Sequence, residues 1–176
     1  RHFTRPVLRC TRCALALPAA TQHPAGANLE AQLCAACAVA PPPLDGALAA
    51  LAYAYPWSGL ITRYKFGQQH GWAGFFASLM RQTPGAAQLL DHLEPQDWIL
   101  PLPLSAQRLQ TRGFNQAWEL ASALARQSLS PAQADARLLL RLRHTRAQSE
   151  LGRQERLANI QGAFQVDPLR APALQE

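Results

Sequence analysis

The sequence predicts an α/β protein that follows a small four-cysteine module, and three observations lead to this prediction. All four cysteines stand in two Cys-x-x-Cys pairs near the N-terminus. Residues 98–116 have the pattern of a short apolar strand, a basic loop and the start of a helix. Residues 72–80 place apolar side chains at the spacing of an amphipathic helix.

Composition is that of a packed globular protein. The 176 residues are 48% hydrophobic and 16% charged, and the length suffices for one domain plus a small module. No apolar run reaches transmembrane length and no signal peptide is recognisable, so we expect a soluble, cytoplasmic chain without membrane insertion. Residue 1 is an arginine rather than an initiator methionine, which we interpret as the mark of a fragment.

The positive charge is carried by arginine. The formal net charge is +6, and Lys65 is the only lysine. Arginine suits bidentate contacts to phosphate. The choice of arginine over lysine is more simply explained by a GC-rich genome, whereas the clustering of arginines in two segments indicates an anionic ligand.

The cysteine pairs predict one structural zinc site. Cys10 and Cys13 form the first pair, Cys34 and Cys37 the second, with 20 residues between the pairs. Two such knuckles supply the four thiolates of a tetrahedral zinc site and leave no open position for catalysis. A disulfide framework and a redox motif are the alternatives, and both fit paired knuckles in a reducing compartment less well. We assign residues 1–43 to this module.

The second unit, residues 44–176, begins after the stiff proline run 41–43. Its first segment, LAALAYAY, alternates alanine and tyrosine at its end and predicts a strand over residues 48–55. Three stretches then have helical spacing or length between Gly and Pro breaks, and they predict helices over residues 58–66, 72–80 and 86–93.

The stretch 101–116, PLPLSAQRLQTRGFNQ, is the first basic segment. A predicted strand over residues 98–102 leads into a loop that carries Arg108 and Arg112. A helix follows from Asn115, with Asn115 or Thr111 as its cap. In an open α/β sheet, anionic ligands bind at such junctions beyond the carboxyl ends of strands.

The second basic segment, residues 137–156, begins within the stretch 136–142, which is a candidate for a buried strand, although the pattern of so short a leucine-rich run does not distinguish a strand from a helix. A solvated basic helix face is the ordinary interpretation of such a run. We favour a loop that faces an anion, because the run follows a predicted strand of the sheet. His144 can act as an acid or a base, but a single histidine in a basic loop is more often a bystander. The arginines of the segment are Arg137, Arg141, Arg143, Arg146, Arg153 and Arg156.

Four motifs occur in order over nearly the whole chain. They are the two cysteine pairs, Tyr64-Lys65-Phe66-Gly67, the PLPL…RGFNQ stretch, and Arg143-x-Thr145-x-x-Gln148…Arg156-x-x-Asn159-x-x-Gly162-x-Phe164. This order resembles the ComF family of competence-associated, phosphoribosyltransferase-like proteins. The last two motifs together are specific to that family, far more so than any one motif.

The resemblance implies a zinc ribbon, of the double zinc ribbon-like kind, followed by a type I phosphoribosyltransferase-like (Rossmann-like) α/β domain. It implies that residues 103–112 help hold the pyrophosphate of phosphoribosyl pyrophosphate (PRPP), whose oxygens Mg²⁺ bridges. A later mobile segment, residues 143–156, would close over the site. The implied contacts are Ser105, Arg108 and Arg112 from the first segment and Arg143, Arg146 and Arg153 from the second.

One feature of the family is missing from this sequence. The family has a hydrophobic strand that runs into two adjacent acidic residues and a Thr-Thr-Gly loop, which cradles the ribose 5-phosphate. No Asp-Asp pair occurs in the chain. We therefore expect the chain to contain only the N-terminal part of the α/β domain, with an incomplete sheet, and to bind PRPP poorly by itself.

Three functions remain open at this point. The first is PRPP-dependent transfer to an unknown acceptor by the complete protein, linked to competence, DNA uptake and use of incoming DNA, with other competence proteins as candidate partners. The second is a non-catalytic module that binds single-stranded DNA through the zinc ribbon and clustered arginines. The third is a scaffold with a solvated basic face. Candidate DNA contacts are Arg141, Arg143, Arg146 and Arg156, with Tyr55, Trp57, Phe114 and Trp118 as candidate stacking residues.

Overall fold

The N-terminal part of the fold is built around the cysteines. A computed structural model of the chain describes residues 7–18, 32–67, 69–130 and 132–171. An isolated antiparallel bridge joins Arg9 to Ala16, and the short helix α1, Ala35–Val39, follows the second cysteine pair. The backbone N–H of Ala47 donates to the carbonyl of Thr11 at 3.0 Å. The chain after the proline run therefore still contacts the cysteine module.

Three of the predicted helices form close to their expected positions. They are α2, Trp57–Phe66; α3, Trp72–Arg81; and α4, Ala86–Asp91. Helix α3 buries Ala73, Phe76 and Ala77, so its inward face differs from the predicted apolar repeat, of which Phe76 is buried while Phe75 and Met80 are exposed. The strand predicted over residues 48–55 is wrong, because the described chain has no strand there. The alternating sequence did not suffice to form a strand. Tyr53 and Tyr55 are exposed, and no strand in the described residues pairs with this segment.

The first basic segment contains a helix where a loop was expected. Helix α5, Ala106–Arg112, is capped by Ser105, whose side chain accepts from the backbone N–H of Arg108. Gly113 ends it in the left-handed conformation at φ 78°, which glycine adopts without strain. Helix α6, Gln116–Gln127, follows. Asn115 caps it by accepting from Ala117, as one of the two predicted caps.

The strands form two small sheets rather than one larger sheet in the described residues. The strand β1, Trp98–Ile99, pairs in parallel with β2, Gln133–Ala134, across the connection that contains α5 and α6. The strand β3, Leu139–Arg141, pairs antiparallel with β4, Phe164–Val166. A 3₁₀ turn, Gln148–Glu150, and helix α7, Arg153–Ile160, connect β3 to β4.

This topology corrects two sequence predictions. The strands expected over residues 98–102 and 136–142 are both shorter. The second of them belongs to a separate antiparallel pair, because its hydrogen-bond partner is the β4 segment and not β1 or β2. A mixed α/β architecture with a four-cysteine module is nevertheless confirmed.

The main core lies between α2, α3 and α6. Tyr64, Phe76 and Phe114 are buried together, with Ala73 beside them. The rings of Tyr64 and Phe76 lie 5.4 Å apart, and those of Tyr64 and Phe114 lie 5.9 Å apart. Buried aromatic groups of this size contribute much of the hydrophobic stabilisation of a small domain. Because Phe114 directly precedes α6, this core also fixes the position of the first basic segment.

Candidate functional site

The four cysteines come together in one cluster. Their Sγ atoms all lie within 4.8 Å of one another, and the Sγ atoms of Cys13 and Cys34 lie 3.8 Å apart. Zn–S bonds of about 2.3 Å in a tetrahedron require sulfur separations of about 3.8 Å. The donor set and its spacing therefore fit one metal ion such as zinc. Among the described residues, no other group of three or more His, Cys, Asp or Glu side chains is placed to hold a metal.

Local backbone structure presents the thiols to a common centre. The N–H of Ala14 donates to the carbonyl of Cys10, which closes the first knuckle, and Cys34 precedes α1 as its N-cap. Backbone hydrogen bonds, that of Cys34 first, lower the pKa of Cys10 to about 6. Burial raises the pKa of Cys37 to about 12. A cation is needed before all four sulfurs can be thiolates, because their negative charges repel one another.

The two basic segments meet at Thr145. The guanidinium of Arg108 donates from Nη2 to the Thr145 carbonyl at 2.8 Å, and that of Arg141 donates from Nη2 to the Thr145 hydroxyl at 2.5 Å. Arg141 also donates to the carbonyl of Pro103 at 3.3 Å. Thr145 is buried. One buried residue of the second segment therefore holds guanidinium groups from both segments.

We refer to Arg108, Arg112 and Arg141 as the arginine cluster. Burial first, and then the positive charge of Arg108, lowers the pKa of both Arg112 and Arg141. Arginine stays charged at any physiological pH, so these shifts report electrostatic strain rather than deprotonation. Within the described residues, none of the three forms an ion pair with a carboxylate. The cluster is therefore a place where positive charge converges without an internal anion.

The Tyr64–Gly67 motif packs against the first basic segment. The guanidinium carbon of Arg112 lies 4.7 Å from the ring centroid of Phe66, and the hydroxyl of Tyr64 donates to the carbonyl of Gln116 at 2.8 Å. The His70 ring lies 4.0 Å from that of Phe114. The Tyr64–Gly67 motif therefore contacts the start of α6 through Tyr64. Phe66 orients Arg112 by a cation–π contact.

The remaining candidate arginines do not join the cluster. Arg143 donates to the carbonyls of Asn159 and Gln161 at the end of α7. Arg156 donates to the carbonyls of Gln148 and Leu151. Arg146 and Arg153 are exposed, and their side chains make no hydrogen bond to another described residue. Of the five arginines expected at a pyrophosphate, the structure brings together Arg108 and Arg112, and it adds Arg141.

Two residues at the cluster were not assigned to the site from the sequence. One is Thr145, which bridges the arginines. The other is His144, whose Nδ1 lies 2.8 Å from the hydroxyl oxygen of the buried Ser105. The Arg143-x-Thr145 pattern contained a signal for Thr145. Nothing in the local sequence pointed to the pairing of His144 with Ser105, which are 39 positions apart.

The exposed aromatic residues differ from the expectation for DNA stacking. Phe114 is buried in the core, while Trp57 and Trp118 are half-buried. Tyr55 is 88% exposed. Two further aromatic residues, Tyr53 and Phe66, are exposed and lie under the cations of Lys65 and Arg112.

As for membranes, the described part of the chain has no helix with the length and apolar character that a bilayer crossing requires.

Comparison with known proteins places the chain among bacterial relatives. It is 32% identical over 167 residues to DNA utilization protein YhgH of Salmonella typhimurium, covering 95% of this chain and 68% of that protein. It is 31% identical over 143 residues to Competence protein F of Haemophilus influenzae, covering 80% of this chain and 62% of that protein. It is also 31% identical over 134 residues to the YhgH protein of Escherichia coli K12, covering 58% of it.

The chain thus spans roughly three fifths to two thirds of the relatives it matches. No protein-family model matches it, and no solved structure matches it. The similarity to the Salmonella protein extends over 95% of the chain. The chain belongs to the ComF family.

Proposed function

We propose that the protein to which this chain belongs takes part in the use of incoming DNA, and that its arginine cluster binds the pyrophosphate group of PRPP. The relatives named for DNA utilization and competence support the first part. The convergence of Arg108, Arg112 and Arg141 without a carboxylate partner supports the second. A pyrophosphate carries several negative charges within a few ångströms, and guanidinium groups bind such oxygens bidentately.

The arginine cluster suits the leaving group of a phosphoribosyl transfer. In that reaction the bond between ribose C1 and a pyrophosphate oxygen breaks, the pyrophosphate keeps the electron pair, and an acceptor nucleophile bonds to C1 and gives up its proton. Negative charge develops on the leaving pyrophosphate. Arginines fixed in advance by Thr145 and Phe66 would stabilise that charge without reorganisation at the moment of reaction.

Mg²⁺ would enter this site together with PRPP. The described residues around the arginine cluster offer no group of carboxylates for a divalent cation. Mg²⁺ binds substrate phosphates readily and keeps several waters, so substrate oxygens and waters would supply most of its ligands. The ribose phosphate would be held by a part of the complete protein other than the arginine cluster.

The cysteine cluster would hold a structural zinc ion. Four thiolates complete the tetrahedral coordination of Zn²⁺ and leave no position for substrate. Its role would be to hold the two cysteine pairs together and to support the chain that leads to α2, through contacts such as that of Ala47 with Thr11.

The proposal is tested by PRPP binding to the complete gene product. Isothermal titration in the presence of Mg²⁺ should show binding by the wild type and an affinity at least about tenfold lower for Arg108→Met, which keeps the apolar stem but removes the charge-assisted bonds. Arg126→Met, on the exposed side of α6, is the matched control and should bind like the wild type. Absence of PRPP binding by the wild type would refute the phosphoribosyltransferase assignment.

Binding of single-stranded DNA is the second candidate function. It is favoured by the exposed rings of Tyr53 and Phe66, which lie beside Lys65 and Arg112. Aromatic rings beside cations are the usual platform for single-stranded nucleic acids. The same two variants distinguish it from the first function: oligonucleotide affinity that survives Arg108→Met and falls steeply with salt would favour DNA as the ligand of a surface around Tyr53 and Phe66, which shares Arg112 with the arginine cluster.

A further inference from the structure

His144 lies against the start of the helix that carries Arg108 and Arg112. Its Nδ1 is 2.8 Å from the Ser105 hydroxyl oxygen, and the neighbouring Thr145 contacts both Arg108 and Arg141. Ser105 is buried, whereas His144 is exposed. The imidazole is therefore anchored at one ring nitrogen to the residue that caps α5, and His144 directly precedes the residue that Arg108 and Arg141 both contact.

The hydrogen bonds of Ser105 determine which nitrogen of His144 carries the proton. The Ser105 oxygen accepts from the backbone N–H of Arg108 at 3.4 Å. Its only other described partner is His144. A buried hydroxyl proton without an acceptor is costly, so the hydroxyl donates to Nδ1. Nδ1 is then the acceptor, and the proton of the neutral ring resides on Nε2.

The Nε2 donor persists in either charge state of the ring. A protonated imidazole carries protons on both nitrogens, so Nε2–H is present whether or not the ring is charged. No described group accepts from Nε2. His144 thus carries an exposed hydrogen-bond donor, is anchored through Ser105 and directly precedes Thr145, whose partners Arg108 and Arg141 form no described ion pair with a carboxylate.

We propose that His144 is a further binding residue of this site, donating from Nε2 to an oxygen of the bound pyrophosphate, with Ser105 as the positioning residue that sets the tautomer. This inference rests on the proposed function. It assigns a role to a histidine that sequence analysis interpreted as a bystander, and it gives the Ser105 hydroxyl a use beyond capping α5.

Nitrogen NMR of the histidine rings tests the tautomer. The uniformly ¹⁵N-labelled chain is examined at about pH 8, above the usual histidine pKa of about 6.5. His144 should be in the Nε2–H form, and titration with inorganic pyrophosphate should shift its ring signals. His92 is an internal reference of opposite tautomer, because its Nδ1 lies 2.7 Å from the carbonyl of Gln88, which can only accept. Its signals should not move.

Substitutions then test the contact itself. His144→Asn removes the donor at the Nε2 position and should weaken pyrophosphate affinity by about three- to tenfold. His144→Gln keeps an amide donor near that position and should retain most of the affinity. Ser105→Ala should give a mixture of His144 tautomers, and Ser105→Thr should restore the single form. His92→Asn is the control and should bind like the wild type.

The outcomes separate the two proposals. A wild-type chain that binds no pyrophosphate would overturn both the pyrophosphate site and the role of His144. Pyrophosphate binding by the wild type together with an Nδ1–H tautomer at His144, or with unchanged affinity in His144→Asn, would overturn the role of His144 alone. Unfolding midpoints of all variants distinguish loss of a ligand contact from loss of the fold.

Discussion

At the scale of single residues, the arginine cluster depends on side chains that no sequence pattern joins. Ser105 meets His144, and Thr145 meets both Arg108 and Arg141. The contacts of Ser105 with His144 and of Arg108 with Thr145 join the two basic segments, whereas that of Arg141 with Thr145 lies within the second segment. The arginines were identified from the sequence because charge clusters are visible there. Their buried polar supports were not, since long-range hydrogen bonds leave no local spacing.

The cysteines are the opposite case, because their ligand geometry is encoded in short spacings. The pattern predicted a four-thiolate site, and all four sulfurs lie within 4.8 Å of one another. We predict one metal ion per chain in protein purified without chelator. Cys37→Ser should lose the metal and unfold the backbone around the two cysteine pairs, because metal binding energy is folding energy in such modules.

Metal analysis and amide NMR of the cysteine module check this prediction. Ala38→Ser is a matched control on the same short helix, since Ala38 is exposed and Cys37 is buried. It should keep both the metal and the native spectrum. A metal-free wild type with a native spectrum would show that the four thiols fold the module without an ion.

At the scale of secondary-structure elements, helices were predicted better than strands. Helix α3 has a strong apolar repeat at helical spacing, and a helix forms its hydrogen bonds within one segment of the chain. A strand also needs a neighbour, and β3 finds its neighbour 25 residues along the chain, at β4. Helix α5 was not predicted although Ser105 and Gly113 are ordinary start and stop signals, because the two prolines before it and the two arginines within it suggested a basic loop.

The contact between α3 and α4 gives a pH-dependent prediction. Arg81 and Asp91 form a two-pronged ion pair at 2.6 and 2.8 Å. The hydrogen bond from Arg81 lowers the pKa of Asp91 to about 2, below the unfolded value of about 3.9. A depressed carboxyl pKa stabilises the fold above the unfolded value. That stabilisation is lost as the pH falls from about 4 to about 2.

Asp91→Asn should therefore lower the urea midpoint of unfolding at pH 7, by less at pH 3. The matched control is Asp45→Asn, at an exposed position without a described ion pair, and it should change neither midpoint appreciably. Equal destabilisation of Asp91→Asn at both pH values would show that the carboxylate charge contributes nothing and that only the shape of the contact matters.

At the scale of the whole molecule, the described chain beyond the cysteine module has two parts, and residues of the arginine cluster link them. Helices α2, α3 and α6 surround the aromatic core, while β3 and β4 form a separate antiparallel pair that α7 connects. Hydrogen bonds of Arg108, Arg141 and Ser105 join residues 103–108 to residues 141–145. The sequence predicted a mixed α/β chain but not this division, because the pairing of short strands depends on contacts between distant segments.

The central claim is that the two basic segments form one site for a polyphosphate. The most direct measurement is the affinity of this chain for inorganic pyrophosphate in three variants: Arg108→Met from the first segment, Arg141→Met from the second, and Arg126→Met as control. We predict that the first two each bind at least about tenfold more weakly than the wild type and that the third binds equally well. Unchanged affinity in Arg141→Met, with the fold intact, would contradict the claim that both segments contact one ligand.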